Sequence, residues 1–224
     1  MESLYLSGHT VFIRPPEAGL KAEQNPAIVI NDGEQLEKLD LSSAHAVLIG
    51  IAPNDRLSEY TPWAEKAMRP GAPDFGGTME RYHCTLLTEI LPDLEQNYHL
   101  DPARLAYGGF SLGGLAATMS LWQTDRFRAV FSLCGSFWYP GVPEYMVQHP
   151  LRNKNASVFL LNGKKEGSQH TNRLKNAACY ADQVHQLLLK QANALTVLDD
   201  HSHHEQVAER FQRALLWADK QLTE

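Results

Sequence analysis

Apolar residues in this chain cluster into short runs separated by longer stretches of helical period. Runs rich in Val, Ile, Leu and Phe predict strands near residues 4–13, 27–31, 46–51, 105–110, 129–133, 158–161 and 195–198. Several of these runs are short and almost entirely apolar, which suits central strands covered on both faces. Between them, residues 79–98, 112–123, 172–191 and 205–221 read as helices. Such β–α alternation predicts an α/β fold with a mainly parallel central sheet flanked by helices, the N-terminal strand lying antiparallel at an edge. Two segments, 52–78 and 135–155, are rich in Pro, Gly and aromatics and resist regular assignment. Both follow predicted strands, so they are expected to wall a pocket at the carboxyl ends of the sheet. Neither is long enough for a separate cap domain, and one domain over 1–224 is expected.

Composition narrows the class of partner. The chain has 224 residues, 43% hydrophobic and 21% charged, enough for one large core. A net charge of −6 argues against nucleic acid or an anionic membrane as partner. No apolar run approaches the ~18 residues that a membrane span needs. The first residues carry no basic region followed by an apolar one, so no secretory leader is expected and the location is read as cytoplasmic. Cys84, Cys134 and Cys179 are odd in number and widely spaced, and read as small buried hydrophobic residues in a reducing compartment. A homo-oligomer is compatible with all of this.

The chemistry concentrates at Gly109-Phe110-Ser111-Leu112-Gly113. A strand feeds this Gly-x-Ser-x-Gly sequence and a helix leaves it, the context in which a serine hydroxyl is held out at a sharp turn as a nucleophile. A serine needs a base to take its proton and an acid to orient that base. In α/β-hydrolases these follow in the order serine, acid, histidine. Glu166 lies in the turn after the run 158–161, with Asp199 and Asp200 as substitutes. His201, His203 and His204 follow the run 195–198, just before the last helix. Ser202-x-x-Glu205 reads as a capping box, which places His203 at the helix start. Three clustered histidines could instead hold a metal, but no further ligands at matching strand ends are evident, and no cofactor is implied.

These residues resemble the esterase D-like, or "putative esterase", branch of the α/β-hydrolases, with the enterobactin-type siderophore esterases nearest. The likeness covers most of the chain. It includes Val29-Ile30-Asn31-Asp32-Gly33, Arg56-x-x-Glu59-Tyr60-x-Pro62-Trp63, Glu89-Ile90-Leu91-Pro92, Asp101-Pro102-x-Arg104 and Gly135-Ser136-Phe137-Trp138. In siderophore esterases of this branch, the catalytic histidine precedes a helix with apolar residues four, eight and twelve positions later. From His203 these are Val207, Phe211 and Leu215; from His201 they are Glu205, Glu209 and Arg213. His203 is therefore the preferred base. His201 stays the alternative, because Asp200-His201-Ser202 resembles the sequence around the base of esterase D itself.

The resemblance implies a serine carboxylesterase acting on a small or medium ester through Ser111, His203 and Glu166. The Leu112 N–H, with that of Ile51 or Ala52, would form the oxyanion hole. Tyr60, Trp63, Trp138 and Tyr139 would supply an aromatic pocket for an aryl or siderophore-type acyl group. Acyl transfer or thioester cleavage on the same three residues is the alternative reading. A metal-dependent hydrolase and an inactive binding scaffold rank lower.

Overall fold

A computed structural model describes residues 1–39 and 44–223. Its main sheet has eight strands: β1 (Glu2–Leu6), β2 (His9–Arg14), β3 (Asn25–Asn31), β4 (Val47–Ile51), β7 (Leu100–Phe110), β8 (Ala129–Leu133), β9 (Ser157–Gly163) and β10 (Asn193–Asp199), with β5 (Ala64–Glu65) and β6 (Phe75–Gly76) forming a separate two-stranded ribbon. The spatial order is β1-β2-β4-β3-β7-β8-β9-β10. Every neighbouring pair from β4 to β10 is parallel, whereas β1 and β2 form an antiparallel edge. The single N-terminal strand expected over 4–13 is in fact a hairpin. Ser7 (φ 46°) and Gly8 (φ 85°) turn the chain there, since a two-residue loop with both central residues left-handed matches strand twist.

Helices cover both faces. On one side lie α2 (Met79–Thr85) and α3 (Leu91–Asn97), joined through a π turn, together with α4 (Leu112–Gln123) and α6 (Ala177–Gln191). On the other lies α7 (Val207–Thr223). Strands β3, β4 and β8 are buried along their whole length, as their unbroken apolar runs require. Helix α4 is buried at every position from Leu112 to Trp122, so its sequence Leu-Gly-Gly-Leu-Ala-Ala carries no polar face. The segment 52–78 adds α1 (Arg56–Glu59), and 135–155 adds α5 (Val142–Gln148). Among the described residues, no helix is long and apolar enough to cross a membrane.

Two buried histidines make this fold acid-sensitive. His83 on α2 binds Gln123 and the Tyr107 hydroxyl, and His185 on α6 binds Asn162. Burial pushes both down to about 4 from the usual 6.5. The unfolded chain therefore takes up more protons between those values, and stability must fall as pH drops through that window, by at most on the order of 3 kcal/mol apiece. His9 works in the opposite sense, because its bond to Glu59 raises it, so its contribution is lost as pH rises. Urea unfolding at pH 7 and pH 5 is expected to show a net loss of roughly 3 kcal/mol at the lower pH; equal midpoints would contradict it.

Candidate active site

Ser111 lies between the end of β7 and the first turn of α4 with φ 59° and ψ −120°, a strained backbone for a non-glycine residue. Its surroundings impose that conformation. The Ser111 amide donates to the Leu133 carbonyl (2.9 Å), and its carbonyl accepts from the Leu115 (2.9 Å) and Ser136 (3.1 Å) amides. The two motif glycines allow the crossing. A Cβ at Gly109 would sit 2.7 Å from the Gly113 carbonyl carbon, and one at Gly113 would sit 2.9 Å from the Asn31 Cβ. Asn31 locks the turn, donating from Nδ2 to the Gly113 carbonyl (2.8 Å) while its Oδ1 accepts from the Tyr82 and Tyr107 hydroxyls (2.7 and 3.0 Å).

Three loops at the carboxyl ends of β7, β9 and β10 bring the polar groups together. Ser111 Oγ lies 3.0 Å from His203 Nε2, and His203 Nδ1 lies 2.8 Å from Glu166 Oε2. Glu166 Oε1 accepts from the Gly163 amide (2.6 Å) and from Asn162 Nδ2 (3.2 Å). Burial by itself would raise the Glu166 carboxyl. The bond and charge of His203, the Gly163 amide and the Cys134 thiol outweigh it and hold the group below its ordinary value. His201 stands elsewhere, its ring toward Glu205 (3.8 Å) and its carbonyl accepting from the Lys165 amide. His204 packs edge-on against His203 with ring centroids 4.7 Å apart.

One buried side chain explains why His203 rather than His201 reaches the serine. Arg210, on the first turns of α7, grips Asp199 with two bonds (2.6 and 2.8 Å). It also donates to the carbonyls of Ser202 (3.1 Å) and His203 (3.3 Å). Glu205 accepts from the Ser202 amide (2.7 Å), which is one half of the expected capping box. The helix itself starts later, at Val207, because Gln206 adopts φ 54° and breaks the run. His203 thus sits in a tight turn ahead of the helix rather than in its first turn.

The segment 52–78 does wall the cleft at Ser111, through Pro53 and Arg56 rather than through the expected aromatics. A cleft of about 510 Å³ opens at Ser111, between Phe110 and His204 on one side and Asp32, Arg56 and Pro53 on the other. Asp32 and Arg56 form a two-point ion pair there (2.7 and 3.0 Å). Tyr60 is fully buried and accepts the Asp32 amide proton at its hydroxyl (2.9 Å), so it shapes the turn from within rather than facing a substrate. Tyr139 is 1% exposed and donates to the Trp63 carbonyl (2.6 Å). Trp63 and Trp138 are half-buried in the same aromatic cluster with Phe75, and Trp63 Nε1 donates to the Pro140 carbonyl. These four aromatics pack loop on loop, and none lines the Ser111 cleft.

The oxyanion candidates are also narrowed. The Ala52 amide already donates to the Thr10 carbonyl (2.9 Å), which removes it. Ile51 is buried at the end of β4 and paired there with Val11 of β2 and Asn31 of β3, so its amide is no more open than that of Ala52, while Leu112 opens α4 directly after the serine. Residues that sequence reasoning missed are Asn162, Arg210, Cys134 and Ser136. Ser136 Oγ lies 3.3 Å from Ser111 Oγ. Among the described residues, one group with metal-ligating atoms closes to within 4.8 Å: Cys134, Glu166 and His203. The Cys134 sulfur is 2.9 Å from Arg210 Nη1, a fixed positive charge that opposes a cation there. Burial also raises the Cys134 thiol well above its usual range, which keeps it neutral.

A family model described as "Putative esterase" matches residues 10–222. The chain belongs to this esterase family. Among curated proteins, the uncharacterized protein YbbA of Bacillus subtilis (strain 168) is 28% identical, covering 91% of this chain and 89% of its own. Solved structures share the fold at low identity. An IroE-like serine hydrolase from Shewanella oneidensis superposes with TM-score 0.74 at 19% identity, over 98% of this chain and 78% of that one. The enterobactin esterase FES from Shigella flexneri gives TM-score 0.77 at 18% identity, over 98% of this chain and 58% of that one. This esterase thus has a mixed α/β fold, a large sheet flanked by helices, of the α/β-hydrolase type.

Proposed function

We propose that this esterase hydrolyses carboxylic esters by nucleophilic catalysis at Ser111, with His203 as general base and Glu166 as the acid that orients it. The observation that carries the reading is the unbroken line of bonds from Ser111 Oγ through His203 to Glu166, at 3.0 and 2.8 Å. Ser111 Oγ adds to the ester carbonyl as His203 Nε2 takes its proton. The carbonyl oxygen becomes an oxyanion facing the Leu112 amide, a donor of this kind being worth on the order of 3 kcal/mol in the barrier. Collapse expels the alcohol, which receives the proton from His203 and leaves an acyl-serine. Water then repeats the cycle, giving up a proton to His203, and releases the carboxylic acid and free Ser111.

Glu166, depressed and nearly fully buried, stays ionised throughout and stabilises the imidazolium that forms twice per turnover. The cleft volume falls within the usual range for small-molecule sites. Its wall offers an ion pair and one phenyl ring rather than an aromatic box, which favours small or medium acyl groups with polar substituents. The enterobactin esterase fold likeness makes a siderophore-type ester a natural member of a substrate panel. Purified protein is expected to hydrolyse p-nitrophenyl acetate and butyrate at rates unchanged by EDTA. No turnover with any ester, or activity abolished by the chelator and restored by a divalent metal, would contradict the proposal.

A further inference from the structure

Behind Glu166, away from the serine, a second pair of buried side chains continues the line of bonds. Asn162 is the penultimate residue of β9, is 1% exposed, and points its Nδ2 at two acceptors, Glu166 Oε1 (3.2 Å) and the Gly135 carbonyl (3.4 Å). Two acceptors on one side fix the amide's orientation, so Oδ1 must face the other way. There it meets Nε2 of His185, 3.0 Å away on the buried face of α6. Because Oδ1 can only accept, the His185 proton resides on Nε2.

That assignment leaves His185 Nδ1 as a bare acceptor, and among the described residues it has no partner although the side chain is 1% exposed. An unsatisfied buried nitrogen is costly, and a leucine or phenylalanine would fill the same space on α6 without it. What the histidine supplies instead is a single N–H aimed at the amide that steadies the acid. The other groups around Glu166 are already committed: His203 on Oε2, the Gly163 amide on Oε1, and Cys134 held by Arg210.

We infer that His185 is a positioning residue that acts through Asn162 to hold the Glu166 carboxylate, extending the proposed Ser111–His203–Glu166 line to five side chains. The inference rests on the proposed role of Glu166. It predicts that removing the His185 N–H frees the Asn162 amide to rotate, withdraws one of two donors from Oε1 and lets Glu166 turn away from His203. Ground-state binding of the ester, which takes place on the far side of Ser111, is untouched.

The test is a double-mutant cycle on p-nitrophenyl butyrate hydrolysis, using His185→Leu, His185→Gln and Asn162→Ala, each in the parent and in the Glu166→Ala background. In the parent, His185→Leu and Asn162→Ala are each expected to lower kcat by about tenfold, the scale of one hydrogen bond to a charged group, with KM within twofold. Glutamine can present an N–H near the place of Nε2, so His185→Gln should recover most of the lost rate. In the Glu166→Ala background neither His185→Leu nor Asn162→Ala should lower kcat further, since the group they act through is gone. Asn162→Ala carries the same comparison if His185→Leu does not fold. Equal losses in both backgrounds would show a general effect on folding and overturn the inference, as would an unchanged kcat in the parent. If Glu166→Ala itself is fully active, the proposed role of the acid fails first and the inference falls with it.

Discussion

Ser111→Ala is expected to lower kcat for p-nitrophenyl butyrate by ~10⁵–10⁶-fold while the protein folds and melts like the parent. The magnitude follows from the cooperative behaviour of nucleophile, base and acid: losing the nucleophile alone costs about as much as losing all three. Ser111 keeps a strained backbone with φ 59°, and that strain is set by the Leu133, Leu115 and Ser136 contacts of its main chain rather than by its hydroxyl. Alanine should therefore occupy the same turn, leaving a site without a nucleophile rather than an unfolded protein. Stopped assays with enzyme in excess would detect any residual burst. A variant retaining more than a hundredth of the parent rate would mean that another group attacks the ester.

The second large effect separates two neighbouring histidines. His203→Ala is expected to cost ~10⁴–10⁶-fold in kcat, because the serine hydroxyl then has no base within reach. His201→Ala should remain within about twofold of the parent, since its ring faces Glu205 and solvent rather than Ser111, and such surface changes are usually small. The comparison is sharp because the two residues lie two positions apart in one loop. Steady-state kinetics on both variants, with thermal melts to confirm folding, decide it; an inactive His201→Ala beside an active His203→Ala would reverse the assignment.

How much of this was legible beforehand differs between the framework and the cleft. The strands β3, β4, β8 and β9 were readable because each is a short, nearly unbroken apolar run, a pattern that buried parallel strands demand, whereas β7 was readable only over 105–110 and in fact extends back through Asp101-Pro102-Ala103-Arg104. The turn at Ser111 was readable because Gly109 and Gly113 carry no Cβ to obstruct the close approach of β7, β3 and α4. The resemblance to siderophore esterases pointed to His203 through the apolar positions that follow it, and of these Phe211 and Leu215 do pack into the core.

Which side chains of the two irregular segments face the cleft was not readable. Residues 52–78 and 135–155 lack any period, so whether Tyr60 and Tyr139 face substrate or each other's loops depends on long-range packing that no local pattern encodes. Tyr60 turned inward because its hydroxyl satisfies the Asp32 amide, and Tyr139 because its hydroxyl reaches the Trp63 carbonyl. Likewise, Arg210 looks like an ordinary charged position on an amphipathic helix. Only the fold shows its guanidinium enclosed by Asp199, Cys134 and the carbonyls beside His203. The missed hairpin turn had a local signal, Ser7-Gly8, of the kind that marks two-residue loops.

Covalent trapping with a fluorophosphonate probe, followed by peptide mapping, tests the chemistry most directly. One adduct per chain on the Ser111 hydroxyl, absent from Ser111→Ala and strongly slowed in His203→Ala, is the predicted result. Modification at Ser136 or another residue with Ser111 untouched, or no adduct in an enzyme that still cleaves esters, would contradict the account.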